Sequence, residues 1–215
     1  MTASLTLDDG RRVVIRPVRP QDAAATGRFV ERGLSPASRR RRFHGAIRSL
    51  PPALLQALTQ VDQIDHVALV AESVEGDDAS LDTTVIVAEA RYVVEPPGDQ
   101  AEMALAVADA WQGVGLGTAL LNRLCRLGRR QGLPGFRADV MSDNSAMLAL
   151  LRRRVSLACR HPDDATLRRL WVLTGEPHVP VELRRTAVVA GGNALANSSR
   201  PERSACGVAH SLGDF

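Results

Sequence analysis

Aromatic residues make up only 3% of the 215-residue chain, so its core has to be built from Leu, Val, Ala and Ile. Cysteine is equally scarce. Cys125, Cys159 and Cys206 are widely separated and odd in number, which argues against both a disulfide framework and a Cys/His zinc site, and no metal is expected. Cys125 and Cys159 have apolar neighbours and read as small buried hydrophobes. No apolar run approaches the roughly 18 residues needed to cross a bilayer. The N-terminus lacks the basic-then-apolar pattern of a signal peptide, so a cytoplasmic protein without a membrane partner is expected. Charge is not concentrated either. A net charge of +3 and a pI near 9.2 are too mild to imply a nucleic-acid partner, and no aromatic-basic interleaving supports one.

What is present is an ordinary globular composition, 45% apolar, at a length that favours one domain. "RRVVIRPVRP" reads as a strand closed by Pro17 and Pro20. "PQDAAATGRFVERG" reads as a helix stopped by Gly33, and "LSPASRRRRF" as another, with Ser35 as N-cap and Pro36 in its first turn. "LPPALLQALTQV" has helical spacing, whereas "DHVALVAES", "TTVIVAEARYVV" and "QAEMALAVAD" are β-rich. Leu116, Leu120, Leu124 and Leu127 form the apolar stripe of a helix that Gly132 ends. The strand "GFRADVM", the helix "SDNSAMLALLRRR" and a closing pair, "VSLACR" and "LRRLWVLTG", complete the order. This predicts one α/β domain over residues 12–174, with a central, mixed, mostly antiparallel twisted sheet flanked by helices. Residues 175–215 lack periodicity and read as a disordered tail.

The densest signal is "WQGVGLGTALL", where Gly113, Gly115 and Gly117 open a helix. Glycines let a backbone approach a ligand, and the free N–H groups and dipole of a helix start attract an anion. A mononucleotide loop needs Lys after its last glycine, but Thr118 and Ala119 stand there. A dinucleotide fingerprint needs a third glycine where Thr118 stands and a first glycine directly after the strand, from which "ADAWQ" separates Gly113.

The pattern Q-x-x-G-x-G in "QGVGLG" resembles the acyl-CoA pyrophosphate loop of the GNAT N-acetyltransferase superfamily, and the likeness extends from about Val13 to Leu173. "IRPVRPQD", "LSPASRRRRF", "LTQVDQIDHVALVA" and "AEMALAVADAWQGVGLGTALL" resemble its bacterial protein-lysine acetyltransferase branch. The resemblance implies acetyl-CoA as co-substrate, cradled by Gln112, Gly113, Val114, Gly115, Leu116, Gly117 and Thr118. It further implies that the backbone at Ala106 and Val107 meets the acetyl and pantetheine groups, that Asn144 contacts the pantetheine arm, and that Glu102 is the catalytic base. Asn144 equally suits an N-cap. Glu72, Glu89 and Glu95 are weaker alternatives for the base.

The implied activity is transfer of an acetyl group to an amine, a protein lysine or a small molecule, by direct attack in a ternary complex. An acyl-CoA-binding sensor with little catalysis is the alternative, and the reading leaves room for a homodimer. Two departures stand out. Many members of the superfamily place a tyrosine where this chain has Leu151, and its only tyrosine is Tyr92. "RRRVSLAC" replaces the usual Gly-aromatic pair. The run Arg39 to Arg42 reads as a solvated charged helix face.

Overall fold

The computed structural model describes residues 2–74, 85–98 and 100–175. Strands β1 (Ala3–Thr6) and β2 (Arg12–Pro17) form a hairpin. Three helices follow, α1 (Ala23–Arg28), α2 (Pro36–Phe43) and α3 (Pro52–Thr59). Then come β3 (His66–Ser73), β4 (Ile86–Glu95) and β5 (Gln100–Val107). The chain continues through α4 (Leu116–Arg130), β6 (Gly135–Met141), α5 (Ser145–Leu151), β7 (Val155–Arg160) and β8 (Leu167–Leu173).

All eight strands join one sheet in the order β1-β2-β3-β4-β5-β6-β8-β7. Every neighbouring pair is antiparallel except β5 and β6. Parallel neighbours need a crossover, and α4 supplies it. This is the mixed, mostly antiparallel sheet expected from the strand pattern.

Alternation along the strands builds two cores. Leu69, Ala90, Tyr92, Met103 and Phe136 meet Leu116, Leu120, Leu121 and Leu124 of α4 on one face. Ala68, Val70, Ala106 and Ala108 meet Phe29, Leu34, Leu54 and Leu58 on the other. Because β3 and β4 are covered on both faces, their sequences read as nearly continuous apolar runs.

Three elements differ from the expectation. β1 lies before the expected boundary at residue 12, and its four residues carry too short an alternation to stand out. The helix expected from Pro20 to Gly33 is α1 flanked by a 3₁₀ turn, Pro20–Asp22, and a π turn, Phe29–Gly33. Cys159, expected to be buried, is exposed, because β7 is the outermost strand of the sheet; Cys125 is buried as expected. Of the expected tail only Gly175 is described; residues 176–215 and Cys206 lie outside the described residues.

The seat of α4 on the sheet depends on a missing side chain. A Cβ at Gly128 would stand 2.6 Å from Cζ of Phe136, a fully buried ring stacked on Tyr92 at 5.0 Å. Neither ring has space to retreat. Gly128→Val is expected to cost at least about 1–3 kcal/mol through overpacking, read from the urea midpoint.

Candidate active site

The parallel pair β5/β6 is in register only at Glu102↔Arg137. Beyond that point the strands part, and hydrogen-bond alternation shows which backbone groups face the gap. On β6, the Ser142 N–H donates to Thr166 O at 2.8 Å and the Thr174 N–H to Pro134 O at 3.2 Å, so even-numbered residues bond toward β8. Asp139 therefore turns its N–H and C=O toward β5. On β5, the Ala108 N–H donates to Val87 O at 2.8 Å. Ala106, opposite Glu89, is in phase with it and spends its backbone groups on β4. Val107 therefore turns its backbone groups toward the gap, as does Leu105. Ala106 instead presents its small side chain to the α1–α3 face.

At the mouth of the gap lies the glycine loop. Gly113 (φ +78°) and Gly115 (φ +84°) both take the left-handed conformation, which selects glycine. Gly115 is also crowded, since a Cβ there would stand 3.1 Å from Asp8 Oδ2, in the β1–β2 turn. The first helical bond runs from the Ala119 N–H to Gly115 O at 3.0 Å. The N–H groups of Leu116, Gly117 and Thr118 precede it, and no side chain caps this end among the described residues. A helix start with no capping side chain and no acidic residue in its first turn can offer its N–H groups to a diphosphate, with Asp8 beside Gly115 as the nearest carboxylate. Leu116 is 1% exposed, so only its backbone can take part. Val114 is half-buried, and Thr118 is exposed. Gln112 closes the loop, donating from Nε2 to Val107 O at 3.0 Å.

Glu102 stands where the strands part. Its Oε2 accepts from Arg137 at 2.6 Å, and the same guanidinium holds Glu95. Glu102 shares its face with Ala104 and Ala106, whose short side chains leave the surface low. Glu95 thus shares its arginine with Glu102, whereas Glu72 and Glu89 are committed elsewhere. Glu72 accepts from Arg16 at 2.8 Å. Glu89 is sealed between Arg42 at 2.8 Å and Arg91 at 2.7 Å. Burial opposes its charge, but the two guanidiniums prevail and hold its pKa at about 2, too low for a base. Asn144 caps α5, its Oδ1 accepting from the Met147 N–H at 3.1 Å.

Neither tyrosine position bears on the gap. Leu151 is fully buried in the α4-side core. Tyr92 lies on the same side, and burial pushes its hydroxyl up to about 12.

The expectation of a solvated Arg39–Arg42 face holds for Arg40 and Arg41, whose side chains are 51% and 38% exposed, but not for Arg39 and Arg42. Arg39 donates to the carbonyls of Val30, Glu31 and Leu34. Arg42 is the half-buried partner of the buried Glu89. Arg40 and Arg41 reach Asp143 at 3.6 and 3.7 Å, in the loop before Asn144. Arg42 thus ties α2 to β4, while Arg40 and Arg41 make only long, exposed contacts with the β6–α5 loop, which contribute little. A charge run by itself carries no sign of such partners, because Glu89 and Asp143 are distant in sequence.

Removing Glu89 would leave Arg42 and Arg91 facing each other in a buried site. Glu89→Gln is expected to cost about 3–5 kcal/mol in chemical denaturation. The wild-type protein should lose the stability this carboxylate contributes as pH falls from about 4.5, its unfolded value, through about 2. That acid-limb loss should be smaller in the variant.

Comparison with known proteins agrees with the geometry. Residues 55–155 match the family model for the acetyltransferase (GNAT) family. The chain is 37% identical over 161 residues to acetyltransferase PA5475 of Pseudomonas aeruginosa, covering 75% of this chain and 83% of that one. It is 34% identical over 147 residues to acetyltransferase Pat of Mycolicibacterium smegmatis, covering 67% of this chain but only 41% of that longer protein. The GNAT domain of S. lividans PAT superposes with a TM-score of 0.67 at 26% identity, covering 80% of this chain and 96% of that one. The fold also matches yncA from Salmonella typhimurium, solved with its cofactor acetyl-CoA, with a TM-score of 0.56 at 20% identity over 79% of this chain and 98% of that one. A parted parallel pair, a glycine loop on an uncapped helix and these relatives together place the chain in the GNAT family, as an acyl-CoA-dependent acetyltransferase.

Proposed function

We propose that the acceptor of this acetyltransferase is the side-chain amine of a protein lysine, with Glu102 as a proton acceptor. The observation that carries this reading is the position of Glu102 at the point where β5 and β6 part, on a surface kept low by Ala104 and Ala106. A lysine amine has a reference pKa of about 10.4, so roughly one in 10³ is neutral at pH 7, and its proton must be removed before nitrogen can attack a carbonyl. On the gap face Glu95 and Glu102 share Arg137, and Asp139 pairs with Arg169.

The donor's diphosphate is assigned to the backbone of Gln112 to Thr118. The N–H groups of Leu105 and Val107, turned to the gap, are the donors available to the acetyl carbonyl oxygen, where negative charge develops. Asn144 stands at the loop that Arg40 and Arg41 reach from α2, within the same rim. Among the described residues no three metal-ligating side chains gather, and no helix is long and apolar enough to cross a membrane.

All 27 basic residues of the chain are arginine, so it has no lysine of its own to modify. Acetyl label found on lysine in a mixture therefore belongs to the acceptor. Acetyl-CoA is expected to raise the melting temperature of both the wild-type protein and Glu102→Gln. The wild type should acetylate lysines of a protein panel, read by mass spectrometry, and Glu102→Gln should lose about 10²–10⁴-fold in rate. Turnover on small amines with none on proteins would replace the acceptor class. Binding with no turnover on any amine would make the protein an acyl-CoA sensor.

A further inference from the structure

Where β5 and β6 last meet, one guanidinium is shared by two carboxylates. Arg137 is the register partner of Glu102 and lies on the same face of the sheet. Glu95, at the end of β4, shares that face, because Val93 stands opposite Glu102 and Glu95 opposite Gln100. Nη2 of Arg137 donates to Glu102 Oε2 at 2.6 Å and also to Glu95 Oε1. Each carboxylate is thus held through one nitrogen, and neither has the two-bond grip that locks an arginine–carboxylate pair. Nε of Arg137 is buried without a hydrogen-bond partner among the described residues. Oε1 of Glu102 likewise has no hydrogen bond among them.

The two carboxylates are not equivalent. The Glu102 side chain is 35% exposed, whereas Glu95 and Arg137 are each 19% exposed. Glu102 stands at the parting point, and Glu95 lies level with Gln100, two residues back along β5 and away from the gap. The remaining charges on this face are engaged with one another. Asp139, on β6, holds Arg169 of β8 and His161. On β4, Arg91 pairs with Glu89, which also holds Arg42 of α2, and His66 of β3 lies against Arg91 at 3.1 Å. Arg169, and His44 after α2, sense the charge of Glu102. Arg137 itself therefore carries two carboxylates on one guanidinium, which leaves one negative charge in excess.

Resting on the reading of Glu102 as proton acceptor, we propose that Glu95 is a positioning residue that acts through Arg137 and keeps Glu102 a competent base. If Arg137 were paired with Glu102 alone, protonation of Glu102 would leave a part-buried guanidinium without a counter-charge, and proton uptake would be opposed. With Glu95 on the same nitrogen, the guanidinium stays neutralised while Glu102 gains its proton. Arg137 meanwhile holds Glu102 at the parting point through Oε2, which leaves Oε1 to accept. In the reaction, an N–H bond of the acceptor ammonium breaks, its pair stays on nitrogen, and the proton bonds to Glu102. That pair forms the C–N bond to the acetyl carbonyl carbon. The C–S bond breaks with its pair leaving on sulfur, and the second proton of the nitrogen passes to water. Glu102 then returns its own proton to water, so the ammonium and thioester yield an amide, a thiolate and two protons.

The test uses the full chain, acetyl-CoA and lysine peptides. Glu95→Gln keeps the shape and removes the charge, whereas Glu95→Asp keeps the charge. Acetyl-CoA should raise the melting temperature of each variant as it does that of the wild type, which shows that fold and donor site are intact. Glu95→Gln should lower kcat about 3–10-fold, with the KM for acetyl-CoA within about twofold of wild type. It should also move the acid limb of the kcat/KM profile down by about one pH unit, because a carboxylate left alone with a cation holds a proton less well. Arg137→Met should move the same limb up, and Glu95→Asp should leave it close to wild type. An acid limb that Glu95→Gln leaves in place or moves up, or a kcat loss as large in Glu95→Asp as in Glu95→Gln, would overturn the proposal. The Glu102 carboxyl carbon, assigned by NMR from its loss in Glu102→Gln, gives a readout that needs no turnover, and it should titrate at lower pH in Glu95→Gln than in the wild type. If no amine is acetylated, or Glu102→Gln turns over as the wild type does, the base reading fails, and the NMR titration judges the coupling of Glu95 to Glu102 independently. A Glu102 carbon whose titration ignores Glu95→Gln overturns the proposal in that case too.

Discussion

Backbone groups on the facing edges of β5 and β6 need partners, and beyond Glu102 and Arg137 they do not find each other. An unpaired strand edge in the middle of a sheet is costly, so such a gap persists only if something is built to fill it. The amides of Leu105 and Val107 look into it, and Gln112 satisfies the Val107 carbonyl. The glycine loop opens α4 at one end, and Glu102 stands at the last paired residue. Chemistry is thereby placed where the sheet stops being a sheet.

The gap also needs its walls held apart, and electrostatics contributes to that. Arg42, Glu89 and Arg91 form a buried charge group that joins α2 to β4. Such groups contribute little net stability, because desolvation offsets their attraction, but they fix geometry closely. Arg40 and Arg41 of the same helix reach Asp143 on the far wall only through long, exposed contacts. On the other side, the β1–β2 turn sets Asp8 against Gly115 and Arg11 over the Trp111 ring at 3.9 Å. Thus α2 is tied to β4, and the N-terminal hairpin backs the loop.

Much of this was legible in the chain. Apolar periodicity located nearly all strands and helices, and Ser35, Pro36 and Asn144 marked helix starts where the structure has them. The glycines of "QGVGLG" pointed to an anion-binding helix start through backbone physics alone. β1 escaped because four residues carry too little alternation. Arg42 was misread because its partner Glu89 lies 47 residues away. Cys159 was misplaced because local apolar neighbours do not tell an edge strand from a central one.

Local order, then, was determined by the sequence itself: which segments are helix or strand, where they begin, and which loop has the backbone freedom to hold a diphosphate. These depend on interactions within a few residues. The tertiary structure alone decided that β8 inserts between β6 and β7, that β5 and β6 part after one register point, and which backbone groups the parting exposes. It also decided which arginine each carboxylate is paired with, and that Glu102 stands where the strands part. Strand phase and charge pairing across the gap depend on three-dimensional register, and a one-residue slip in that register would turn every one of these groups to the opposite side.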